Sequence, residues 1–223
     1  MSTEAIIPTT VDAEVFRAAE DFLTLDQFKC RASNGALNAV RSIDNETVFL
    51  IHIARKNYFR EWKYELSCSI NWKIIYSNIS ILGGNFNERQ WKNRALISTG
   101  TSKASVYRDW GDNRFSFTKI DDASYIIGNM REFYNKICVP FFEKWNSFEI
   151  SKNEFYNHSK SAEDIVLLRR DLSLIAISIA IIKRDVDIDE LIENHRLYLA
   201  KINESSVDVI DDFVGRLRDA GLL

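Results

Sequence analysis

The chain predicts an α+β fold: an antiparallel sheet meander flanked by helices, with a C-terminal helical hairpin or bundle. Three observations carry this. Residues 64–73 alternate cleanly, with Tyr64, Leu66, Cys68, Ile70 and Trp72 on one side and Glu65, Ser67, Ser69, Asn71 and Lys73 on the other. That period of two marks a half-buried antiparallel strand. The flanking segments instead repeat their apolar residues every three to four positions, as helices do. Finally, Ser161-x-x-Asp164, Asp187-x-x-Glu190 and Ser205-x-x-Asp208 each place a capping oxygen three residues before an acidic side chain. Such pairs satisfy the free amides of a helix start.

Taken in order, residues 1–10 read as a loose tail. Thr10 or Asp12 can cap a first helix running to about Cys30, with Val15, Phe16, Ala19, Phe22, Leu23 and Phe28 on its apolar stripe. Ser33-Asn34-Gly35 breaks the chain. Residues 36–43 form a weak strand, Asp44-Asn45 a turn, and Thr47 to Ala54 a central strand apolar on both faces. Residues 74–82 can continue the sheet, and Gly83-Gly84-Asn85 is a turn. Later strands fall at Ala95 to Ser98 or Ala104 to Arg108, and at Arg114 to Ile120. A helix starts at Asp121 or Asp122, with Tyr125, Ile126, Met130, Phe133, Tyr134 and Ile137 on one stripe. Pro140 breaks or restarts it before Phe141 to Trp145. Residues 146–160 are polar and weakly periodic. They suggest a boundary between an α+β domain over 1–148 and a helical region over 149–223, packed separately or with it. Leu172 to Ile182 reads as a buried core helix, too short for a membrane span. Gly221 can stop the last helix.

The 223 residues carry a formal net charge of −3, which favours neither general nucleic-acid affinity nor disorder. The charge is segregated, however. Residues 29–120 hold 15 Lys and Arg against 7 Asp and Glu, whereas residues 1–28 hold 1 against 6. Cys30, Cys68 and Cys138 lie far apart, without metal-ligand spacing, and read as reduced apolar cysteines of a cytoplasmic protein. The first residues lack the basic and apolar regions of a secretory signal. No cofactor or metal signature stands out, and no membrane partner is expected.

The densest candidate site is the run from Arg55 to Lys63, which brings Arg55, Lys56, Tyr58, Arg60, Trp62 and Lys63 between two strands. Arg89, Trp91 and Lys92, with Arg94, repeat the chemistry. Arg and Trp are favoured interface anchors, and a basic surface speeds association with an acidic protein. The same groups could neutralise phosphates and stack on unpaired bases, which makes a nucleic-acid module the alternative. A basic hairpin with no partner remains the plainest account. Asp185, Asp187, Asp189, Glu190 and Glu193 form an acidic segment that reads as a solvated helix start. Asp109, Asp112, Asp121 and Asp122 gather around Trp110. An enzyme would need a site assembled from distant residues, such as His52 with those carboxylates. His158 and His195 sit in polar surroundings without a nucleophile motif.

Across residues 36–145 the alternating strands lead to Val106-Tyr107-Arg108-Asp109-Trp110, then Phe115-Ser116-Phe117, then a long helix ending Val139-Pro140-Phe141-Phe142-Glu143-Lys144-Trp145. This order resembles small bacterial α+β domains of uncharacterised function, some of them similar to immunity proteins of toxin–immunity systems. The resemblance covers about half the chain and implies a non-enzymatic protein that binds another protein. It assigns no site residues.

Overall fold

The computed structural model describes residues 3–58, 61–85, 96–101, 106, 110, 114–166, 169–202 and 205–223. It is α+β. An antiparallel sheet runs in meander order, β1 (Lys29–Ser33), β2 (Ala36–Ser42), β3 (Thr47–Tyr58), β4 (Glu61–Trp72) and β5 (Ile97–Gly100), and β6 (Ser116–Phe117) pairs with β4 as well. Helices precede and follow it: α1 (Thr3–Leu25), α2 (Lys73–Ile79), α3 (Ala123–Phe133), α4 (Val139–Trp145), α5 (Phe148–Tyr156), α6 (Lys160–Ile165), α7 (Arg169–Lys183), α8 (Ile188–Ala200) and α9 (Ser205–Asp219). The chain divides into two compact units. The first holds residues 1–69 and 99–144, and the second holds residues 70–98 and 145–223.

In the first unit α1 covers one face of the sheet. It starts at Thr3, so residues 3–10 are helical rather than a loose tail, and Asp12 is a mid-helix residue rather than a cap. It ends before residue 29 in a left-handed turn. Gln27 takes φ 66°, its N–H reaches the Thr24 carbonyl, and the Phe28 N–H reaches the Leu23 carbonyl. That pair of hydrogen bonds closes the helix, and Leu23 and Phe28 are both buried. The next residues, Lys-Cys-Arg-Ala-Ser, are an edge strand. They show no apolar alternation because the strand is almost wholly exposed, and so the sequence pattern misses it. Asn34-Gly35 turns the chain back, with Gly35 at φ 74°. Asp44 closes the β2–β3 turn by accepting the Glu46 and Thr47 amides at 2.7 and 2.6 Å.

Leu37, Ala39, Phe49, Ile51, Ile53, Tyr64, Leu66 and Cys68 turn to the helical side and are buried. Phe28 and Phe49 both pack on Phe142, the latter stacked at 4.4 Å between centroids. Between α3 and α4, residues Tyr134–Cys138 form a π-helical turn, and Pro140 follows inside α4. Proline has no N–H to donate and its ring crowds the carbonyl four residues back. The wider turn beside it keeps the helix going, so Pro140 does not break it.

In the second unit residues 73–79 are helix rather than sheet. Ile75 and Ile79, four apart, are both buried; the run Lys-Ile-Ile-Tyr-Ser-Asn-Ile fits either period, and the helical face wins. Helix α7 is buried on every side over residues 172–180, and Leu172, Leu174, Ile175, Ala176, Ile177 and Ile179 are fully buried. Residues 148–156 are helical, capped by Ser147, whose Oγ accepts the Glu149 amide. Ser159, not Ser161, caps α6 by accepting the Ala162 amide, and Ser161 donates to Glu154 instead. Asp187 caps α8 as the spacing predicts, accepting the Asp189 and Glu190 amides at 3.1 Å. Gly221, at φ 69°, closes α9 with the Gly221 N–H on Arg218 and the Leu222 N–H on Leu217. No helix of the described residues is long and apolar enough to cross a membrane.

Three glycines give opposite predictions. A Cβ at Gly128 or Gly215, both exposed and helical, would meet nothing within 4 Å. A Cβ at Gly100 would lie 2.4 Å from the Leu66 carbonyl oxygen. Gly128→Ala and Gly215→Ala should each raise stability by about 0.5–1 kcal/mol. Gly100→Ala should lower it, and urea midpoints for the three variants check both signs.

Candidate binding face of the sheet

Residues directly opposite each other on paired strands share a face. The register therefore defines cross-strand rows on the side away from α1. Lys29, Val40 and Leu50 form one row, Arg31, Asn38 and His52 the next, and Ser33, Ala36 and Ala54 a third. Lys56 and Tyr58 extend the same face along β3. Lys29, Arg31, Asn38, His52, Lys56 and Tyr58 are all exposed, as is Val40 at 38%. No outward position of β1, β2 or β3 carries a carboxylate. The acid that reaches this face comes from β4: Glu65 accepts from the Tyr58 hydroxyl at 3.1 Å and lies 4.0 Å from the Lys56 ammonium. His52 Nδ1 is 2.8 Å from Asn38 Oδ1. Partial burial, then the Lys56 charge, hold its pKa below the ordinary histidine value, with Glu65 opposing.

The run from Arg55 to Lys63 is split between the two faces. Lys56 and Tyr58 point outward. Arg55 points inward, where its Nη1 lies 2.9 Å from Asp12 of α1. Asp12 also accepts from the buried Tyr64 hydroxyl at 2.6 Å. Burial raises the Asp12 pKa, and the Tyr64 hydrogen bond and the Arg55 charge pull it back. Tyr64 is itself pushed well up, by burial first and then by Asp12. The guanidinium rests on Gly35, where a Cβ would come within 3.3 Å of Nη2. Trp62 also points inward and stacks on Phe117 at 5.7 Å. Lys63 is on the outward side but only 9% exposed, opposite Ser116 of β6. Arg60, Arg89, Trp91 and Lys92 lie outside the described residues, as do Arg94, Asp109 and Asp112.

Lys29 and Arg31 belong to this face although nothing in the basic run pointed to them. Their signal was the Asn34-Gly35 pair, a two-residue hairpin connection that requires a strand on each side.

The acidic segment behaves as a solvated helix start with its own partners. Lys152 pairs with Asp185, which also accepts from Tyr156; Arg218 reaches Asp189, and Arg196 reaches Glu193. Among the described residues no group of three or more histidine, cysteine or acidic side chains gathers as a metal site. The three cysteines are free thiols, and burial, then neighbouring Cys138, pushes the Cys68 thiol well up.

Arg55 and Lys56, adjacent in sequence, should respond in opposite ways. Arg55→Met strands the buried Asp12 carboxylate and should cost about 1–3 kcal/mol. Lys56→Ala, at the surface, should stay within about 0.5 kcal/mol of the parent. Urea denaturation of both variants decides this.

Compared with protein-family models, with curated proteins and with solved structures, the chain finds no match in any of the three.

Proposed function

We propose that the protein is a non-enzymatic binding protein, of the inhibitor or immunity type, that engages an acidic protein through the open face of β1–β3. The carrying observation is the cross-strand register. It sets Lys29 in one row with Val40 and Leu50 and Arg31 in the next row, with Lys56 further along the same face of β3, on outward positions without a carboxylate. Apolar side chains bordered by cations suit a protein interface. Cations along this face would steer an acidic target and raise its association rate. Inward-facing Arg55 and Trp62 play no part in this surface; they hold α1 and β6 to the sheet.

Nucleic acid is the weaker occupant of the same face. Binding of unpaired bases relies on several flat side chains in series. On the outward positions of β1–β3, Tyr58 is the only Phe, Tyr or Trp, and its hydroxyl is engaged by Glu65.

The test is a tagged capture from the native cell extract, with and without nuclease, using the parent and the Lys29→Glu/Arg31→Glu/Lys56→Glu variant. A stoichiometric acidic protein should survive nuclease treatment with the parent, and its association rate should fall about tenfold or more with the variant. Circular dichroism confirms that the variant is folded. Undiminished capture by the folded variant would remove this face as the interface. Recovery abolished by nuclease would assign the face to nucleic acid instead.

A further inference from the structure

The second unit holds a histidine pair, one ring half-buried and one fully buried, that the binding face does not use. His195 of α8 is fully buried. Its Nδ1 lies 2.9 Å from His158 Nε2 and 2.9 Å from the Oγ of Ser173 on α7, which is fully buried too. The His158 ring stacks on Tyr198 at 4.0 Å, and the Tyr198 hydroxyl donates to Glu163 of α6 at 2.6 Å. Four helices thus meet at two imidazoles.

The backbone shows that His158 is held there at a cost. It occupies the left-handed position that closes α5, at φ 50°, with its N–H on the Phe155 carbonyl and the Ser159 N–H on the Glu154 carbonyl. Glycine is the usual residue at this position, and asparagine the common substitute. A histidine pays the steric penalty that glycine avoids, and here its side chain completes the contact with His195.

We propose that His158 and His195 form an acid-sensitive latch, which closes the helices of the second unit while both rings are neutral and releases them when either is protonated. The reason is a count of protons. His195 Nε2 is buried without a hydrogen-bond partner. A bare lone pair there is less costly than an unpaired N–H, so the proton sits on Nδ1 and is donated toward His158 Nε2. Protonating His158 sets two N–H groups against each other. Protonating His195, or moving its proton to relieve that clash, leaves a buried donor on Nε2 without an acceptor. Each charged form breaks the contact or strands a donor.

Among the described residues few charges face the pair. Partial burial holds the His158 pKa below the ordinary histidine value, with the Glu163 carboxylate opposing. Across the other contacts, α7 presents neutral Ser173 and α8 presents Tyr198, while Glu154 of α5 is held by Ser159 and Ser161. Burial, followed by the neighbouring His158, brings the His195 pKa down to about 3. The sign follows: a histidine depressed in the fold contributes stability above its unfolded value, about 6.5, and loses it as pH falls below that.

The test uses the full chain. Native-state hydrogen exchange of α5–α8 amides should show the opening constant rising about tenfold or more between pH 7.5 and 5.5. The His195→Leu variant should flatten that rise. Nitrogen-15 spectra of the parent give a second readout that does not depend on the variant folding. At neutral pH they should show His195 with its proton on Nδ1, and it should stay neutral in the folded form through pH 5.5. A His195 that titrates near 6.5 in the folded protein, or a folded His195→Leu variant with the parent's pH dependence, would overturn the latch.

Discussion

A strand sends successive side chains to opposite faces, and in the first unit that constraint separates what holds the fold from what meets solvent. Along β3, Phe49, Ile51, Ile53 and Arg55 share the helical side, while His52, Lys56 and Tyr58 share the other. Along β4, Trp62, Tyr64, Leu66 and Cys68 face inward. A slip of one residue would exchange the two sets and bury Lys56 where Arg55 now meets Asp12. The buried apolar residues make such a slip costly. The register therefore fixes the cations of the open face as firmly as it fixes the core.

The Asp12 contact shows how this constraint reaches α1. A carboxylate inside the apolar stripe of a helix would be expelled unless a cation and a donor awaited it. Arg55 and Tyr64, on adjacent strands, supply both. The second unit answers a similar need differently. Helix α7 is buried on every side over residues 172–180, and its buried hydroxyl at Ser173 meets an imidazole rather than an ion. The first arrangement stores charge inside the fold, and the second excludes it. Acid therefore acts on the two units through different groups.

Much of this was legible in sequence because periodicity reports burial. The alternation from Tyr64 to Trp72, the buried run within α7, the cap at Asp187 and the stop at Gly221 all appear where their patterns place them. The misses have physical causes. β1 has no buried face to impose a period. Residues 73–79 satisfy strand and helix spacing equally, and Ser159 stands two residues from a serine with the better-looking pattern. The candidate site was legible only as a density of cations. Which face each cation took depended on whether the apolar alternation of β3 continued through Arg55. Ile51 and Ile53 already pointed that way, and Asp12, 43 positions earlier, completed it. His158 and His195 could not be paired from spacing, because their contact joins the end of one helix to the middle of another.

Net charge along a chain is therefore a poor measure of charge offered to a partner. The acidic segment from Asp185 to Glu193 is dense, yet Lys152, Arg218, Arg196 and the amides of its own helix take up most of its carboxylates. The basic middle divides differently. Arg55 is neutralised by Asp12 and Lys56 lies near Glu65, whereas Lys29 and Arg31 make no ion pair among the described residues. Both stand on an edge strand, where exposed cations also discourage indiscriminate strand pairing. A partner that docks on the face, rather than adding a strand to the edge, would meet the cations without opposing that protection. An acidic surface of folded protein fits this geometry better than an extended peptide would.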